Sequence, residues 1–181
     1  MDDGWDRSAE AWIAAVGERG DWGRKHVLDP VMLERASARR FERALDVGCG
    51  EGRFCRMLRA RSIPVVGIDP TEALLTVARS RDPGGDYQVA RAERLPFADA
   101  SFDLVVSYLT LIDIPDFRQG LAEMARVLAP GGILLIANLN SFITSQLSGW
   151  IKDEHGNDLH YPVDRYLENF PNGSRGRASG S

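Results

Sequence analysis

The stretch Ala44-Leu45-Asp46-Val47-Gly48-Cys49-Gly50-Glu51-Gly52-Arg53 decides the fold. Its first four residues form a short strand-like run, apolar except for Asp46. The three glycines that follow end any regular element. Residues 53–60 then read as a helix. A strand that passes through a glycine-rich turn into a helix sets the unpaired N–H groups of that helix at the carboxyl edge of a sheet. In open α/β sheets this edge is where ligands bind, at the point where the strand order reverses. Gly48 and Gly50 permit positive φ and let a ligand rest directly on the backbone.

Outward from this turn the chain alternates. Strands are expected at residues 44–47, 65–68, 87–90, 102–107 and 133–136, and helices at 53–60 and 72–79. Residues 102–107 are nearly continuous in apolar side chains, as a strand covered on both faces should be. After Pro115, the residues Phe117, Leu121, Met124 and Leu128 make one apolar stripe at helical period. Asp116 is the expected N-cap, and Pro130-Gly131-Gly132 the expected stop and turn. This pattern implies right-handed βαβ units. The fold class is therefore α/β, a Rossmann-like open and mostly parallel sheet with helices on both faces and five identifiable strands. Upstream, Trp5, Trp12 and Trp22 lie in helical segments expected to break at Gly20 and Pro30.

The flanks of the glycine turn narrow the ligand. A pyrophosphate fingerprint wants a third glycine where this chain has Arg53. Two carboxylates, Asp46 and Glu51, bracket the loop and favour a cationic group over an anionic one. Asp69, at the end of the second strand, is placed to accept hydrogen bonds from ribose hydroxyls. A nucleoside that also carries a cationic amine points to S-adenosyl-L-methionine.

At these residues the sequence resembles the class I S-adenosylmethionine-dependent methyltransferases. Residues 44–52 resemble their first motif and Gly67-Ile68-Asp69 their second. Ala92-Glu93-Arg94-Leu95-Pro96-Phe97, running into residues 101–107, is similar to the region that holds the adenine. Residues 126–132 resemble the late motif before strand five. Within the family the set most resembles the small-molecule methyltransferases. The resemblance implies that Gly48 and Gly50 line the methionine part of the cofactor, with Asp46 near its ammonium, and that Asp69 holds the ribose. Ala92 and Glu93 would lie against the adenine, with Ser107 and Tyr108 near the sulfonium. An N-terminal segment folded over the cofactor would let Arg24 clamp the methionine carboxylate. Asp113 and Tyr108 are the candidate catalytic residues on the acceptor side.

Two departures stand out. Arg91 occupies a position where the family often has an aspartate for the adenine amino group. The family sheet ends in an antiparallel hairpin, whereas residues 138–181 show no sixth or seventh strand, so the C-terminal part of that sheet is expected to be missing. One domain is expected over residues 1–172, made of an N-terminal helical cap (1–42), a cofactor-binding core (43–137) and an acceptor-side segment (138–172). A flexible tail (173–181) follows. The expected function is methyl transfer to a small-molecule acceptor. Its alternatives are a truncated or non-catalytic cofactor-binding domain and a nicotinamide-dependent oxidoreductase.

Composition is ordinary for a globular domain. The chain has 181 residues, 44% of them hydrophobic, and a formal net charge of −4, which offers nucleic acid no electrostatic attraction. All but two of its 22 basic residues are arginine, the exceptions being Lys25 and Lys152. Cys49 and Cys55 alone make neither a disulfide framework nor a zinc site, and no metal is expected. The acidic N-terminus is unlike a signal peptide, and no apolar run nears the ~18 residues of a membrane span. A cytoplasmic location is expected.

Overall fold

A computed structural model describes residues 5–139 and 151–160. The chain divides into two compact units, residues 1–138 and 139–181. In the first unit, strands β1 (Ala44–Val47), β2 (Val65–Asp69), β3 (Asp86–Val89), β4 (Phe102–Tyr108) and β5 (Leu128–Ala137) form one parallel sheet in the order β3-β2-β1-β4-β5. The direction of strand addition reverses between β1 and β4. The helices are α1 (Trp5–Val16), α2 (Asp29–Ala36), α3 (Arg53–Arg59), α4 (Glu72–Arg81) and α5 (Phe117–Val127).

Alternation along the central strands sorts the core into two layers, because successive side chains point to opposite faces. Ala44, Val65, Leu104 and Val106 pack with Met32, Leu33, Phe54, Leu58 and Leu75, from α2, α3 and α4. Leu45, Val47, Ile68 and Val105 pack with Met124 and Val127 of α5. Helices thus cover both faces, and β1 and β4 are buried almost throughout. Among the described residues, no helix is long and apolar enough to cross a membrane.

Local signals explain most element ends. The Asp116 carboxylate accepts from the Gln119 amide at 3.0 Å and caps α5 as expected. Pro30 does not break the N-terminal helical run. It lies in the first turn of α2, and a π-helical turn (Arg24–Leu28) leads directly into it. Residues 130–132 also differ from expectation. β5 starts at Leu128, directly after α5, and the Pro-Gly-Gly sequence is absorbed as a register shift against β4 between Phe102 and Leu104.

The second unit contains strands that sequence reading does not anticipate. β6 (Ile151–Lys152) and β7 (Asp158–His160) pair antiparallel in a separate two-stranded sheet. The Asp153 carboxylate organises their turn by accepting from the amides of His155 and Asn157 at 2.9 and 2.8 Å. Strands of two and three residues are too short to show alternation, so the expectation of no strand after residue 137 fails. The tail at 173–181 lies outside the described residues.

Candidate functional site

The turn after β1 is held by β2. The amides of Gly48 and Cys49 both donate to the Ile68 carbonyl, at 2.8 and 2.9 Å. The Gly50 amide donates to Asp69 Oδ2 and the Thr71 amide to Asp69 Oδ1, each at 2.9 Å. Asp69 is therefore fixed at the carboxyl end of β2 with its carboxylate against the glycine turn. Gly48 and Gly50 have φ of 74° and 55°, conformations that favour glycine. At Gly48 a side chain is also excluded by packing, since an added Cβ would lie 2.0 Å from Thr110 Cγ2. Thr110 Oγ1 lies within hydrogen-bond reach of the Gly48 and Tyr108 carbonyls, at 3.2 and 3.3 Å. Over Gly50, by contrast, the nearest group to an added Cβ is the Trp12 ring at 3.6 Å, so α1 reaches this turn.

Charge in the turn is arranged differently from the paired carboxylates expected there. Glu51 is buried and its Oε2 lies 2.7 Å from both Arg56 and Arg81, so its charge is already compensated. Asp46 has no such cation. Its Oδ2 accepts from the Cys55 thiol at 3.3 Å, and burial pushes its carboxyl up to about 7. Among the described residues, four buried side-chain polar atoms have no hydrogen-bond partner: Asp46 Oδ1, Glu51 Oε1, Arg53 Nε and Ser107 Oγ. Asp46 and Ser107 stand at the carboxyl ends of the adjacent strands β1 and β4, where the strand order reverses. Glu51 and Arg53 belong to the turn between β1 and α3. Buried polar groups are nearly always satisfied, so these four atoms at the strand ends and the adjoining turn are candidate ligand contacts.

The other expected residues are placed as follows. Ala92 is buried in the layer beneath α5, and Glu93 has its carboxylate 3.6 Å from Arg91 Nε. The Tyr108 hydroxyl donates to Asp29 Oδ1 at 2.7 Å, and its ring meets Phe54 edge-on. Burial, and then the Asp29 carboxylate, holds this phenol well above its usual range, so it stays protonated at neutral pH. Arg24 is ion-paired with Asp21 and lies over the Trp12 ring, 5.8 Å from its centroid. Asp113 ends a short 3₁₀ turn (Leu111–Asp113) at the surface.

A family model described as a methyltransferase domain matches residues 45–136, from β1 to β5. The chain belongs to the class I S-adenosylmethionine-dependent methyltransferase family. It is 35% identical over 133 residues to a malonyl-[acyl-carrier protein] O-methyltransferase of Serratia marcescens, covering 74% of this chain and 50% of that one. It is 34% identical over 128 residues to a demethylmenaquinone methyltransferase of Renibacterium salmoninarum, covering 71% and 52%. The crystal structure of an S-adenosylmethionine-dependent methyltransferase from Mesorhizobium loti superposes with a TM-score of 0.68 at 30% identity, covering 83% of this chain and 68% of that one. The chain spans about half the length of the curated relatives it matches.

For four residues of this family member the contacts escape the sequence reading. Asp29, 5% exposed, is ion-paired with Arg53 and also takes the Tyr108 hydroxyl. Trp12 and Thr110 close on the two glycines. Only Arg53 left a signal, as a bulky cation where a dinucleotide site wants glycine. The partners of the other three are set by contacts between distant parts of the chain.

Proposed function

We propose that the chain binds S-adenosyl-L-methionine at the carboxyl edge of β1 and β4 and directs methyl transfer to a small-molecule acceptor. The observation that carries this reading is the cluster of buried, unpartnered polar atoms around Asp46 and Ser107. An unpartnered carboxylate oxygen that lacks a cation suits an ammonium group, and the glycine backbone beside it suits a ligand that approaches closely. The cofactor supplies an electrophilic methyl group on a sulfonium when bound. The chain's own task is alignment, and pre-ordered geometry of this kind removes roughly 7–11 kcal/mol of barrier.

In this reading Asp46 takes the ammonium and Gly48 and Gly50 line the methionine portion. Asp69, held by two backbone amides, presents its carboxylate to the ribose. Ala92 and Glu93 face the adenine and Ser107 the sulfonium side, with Arg24, over the Trp12 ring, assigned to the methionine carboxylate. Tyr108 stays protonated and donates to Asp29, which gives it a positioning role instead of that of a base. Asp113 remains the acceptor-side carboxylate. Relatives named for malonyl-[acyl-carrier protein] and for demethylmenaquinone support a small acceptor group, free or carrier-borne. Both cysteines are free thiols, which a reducing compartment such as the cytoplasm preserves.

Titration calorimetry on the 181-residue chain tests the proposal. S-adenosylmethionine and its demethylated product should each bind at one site, and NAD should not. Asp69→Ala should weaken binding at least ~10-fold, about 1.4 kcal/mol, with folding checked by thermal melting. No heat with either sulfur ligand overturns the reading.

A further inference from the structure

Between α2 and α3 lies a cavity of about 530 Å³, to which none of residues 46–52 contributes. Its size falls within the range of small-molecule pockets, roughly 300–1,000 Å³. Pro30 and Leu33 on one side and Met57 and Ala60 on the other give it an apolar surface. Its charged lining is unbalanced. Arg53 is matched by Asp29 within the cavity wall, and Arg56 is taken up by Glu51 outside it. Glu18, the remaining acid of the lining, lies 3.6 Å from Arg81. That leaves Arg19, Lys25 and Arg61, which have no carboxylate partner among the described residues.

Three uncompensated cations around one apolar cavity do not follow from overall composition, because the chain as a whole carries −4. Lys25 is also one of only two lysines in an arginine-rich chain. All three are exposed, Arg61 donates to the Met57 carbonyl at 3.1 Å, and guanidinium and ammonium groups are the side chains that bind phosphate and carboxylate. We propose that this cavity is a binding site for an anionic amphiphile, with a phosphate or carboxylate head among Arg19, Lys25 and Arg61 and a hydrocarbon stem against Leu33, Met57 and Ala60. Asp29 and Arg53 of its wall adjoin the glycine turn, but none of residues 46–52 lines the cavity.

Calorimetric titration of the full 181-residue chain with hexyl phosphate, hexanoate, inorganic phosphate and hexan-1-ol tests this. At least one of the two amphiphiles should bind ~10-fold or more tightly than inorganic phosphate and hexan-1-ol, which share only one half of its chemistry. Whichever binds tighter identifies the head group. Its affinity should fall as salt rises, since exposed charges are screened. Lys25→Glu and Arg61→Glu should each weaken it at least ~10-fold without changing the melting temperature, while Lys25→Arg retains it. S-adenosylhomocysteine should not displace it. Failure of both amphiphiles to bind, equal binding of inorganic phosphate, indifference to both charge reversals, or displacement by S-adenosylhomocysteine each overturns the proposal.

Discussion

Asp46 is the residue at which burial and chemistry pull in opposite directions. Its carboxyl titrates at about 7 in the folded chain, against ~3.9 when exposed, because burial penalises the charged form. Between these values the folded chain holds a proton that the unfolded chain has lost. The stability contributed by that proton is complete below about pH 4 and is lost as the pH rises to about 7. Urea unfolding across this range should show stability falling with pH, and Asp46→Asn should remove the fall. Binding of the cationic cofactor should run the other way. An ammonium beside Asp46 favours its ionised form, so affinity should rise with pH up to about 7, with a proton released below it. Calorimetry of Asp46→Asn should find weaker binding and a flat profile. Gly48 tests the backbone at the same scale. Gly48→Ala places a Cβ 2.0 Å from Thr110 Cγ2 at φ 74°, and should cost roughly 2–4 kcal/mol in a urea melt. Adding Thr110→Ala should restore the packing part of that loss and leave the φ part.

Between elements, one link outside the sheet is the buried Arg53–Asp29–Tyr108 cluster. It ties α2 to the first residue of α3 and to the last residue of β4. Arg53 directly follows the glycine turn, so α2 is secured beside the proposed site. Asp29→Ala would leave the Arg53 guanidinium buried without its counter-charge, and chemical denaturation should register a loss of about 3–5 kcal/mol. Removing both partners together should cost less than the single change. Element positions were largely legible in the sequence. β1 and the cap of α5 stand where the local pattern puts them, because a buried apolar run and an N-cap carboxylate act over a few residues. The exceptions have local causes as well. Pro30 is tolerated in a first helical turn, Gly131 at φ 76° lets β5 begin before its apolar run, and β6 and β7 are too short to show a period.

At the scale of the whole molecule, the order β3-β2-β1-β4-β5 places β1 and β4 inside the first unit's sheet and β5 at one end of its strand order. β4 is almost wholly buried, whereas most of β5 is half-exposed or exposed. Native-state hydrogen exchange should find the slowest amides in β1 and β4 and faster exchange along β5. Equal protection across the sheet would contradict this gradient. By itself, the sequence determined the α/β class, the mostly parallel five-stranded sheet, the family and the glycine turn, since each is built from short local patterns and their order along the chain. Tertiary structure alone decided which charges the turn leaves uncompensated. Glu51 and Asp46 look equivalent in sequence, but two arginines, one of them 30 residues away, converge on Glu51 and none reaches Asp46. Electrostatic partnership depends on distance in space, and only the folded chain sets that distance.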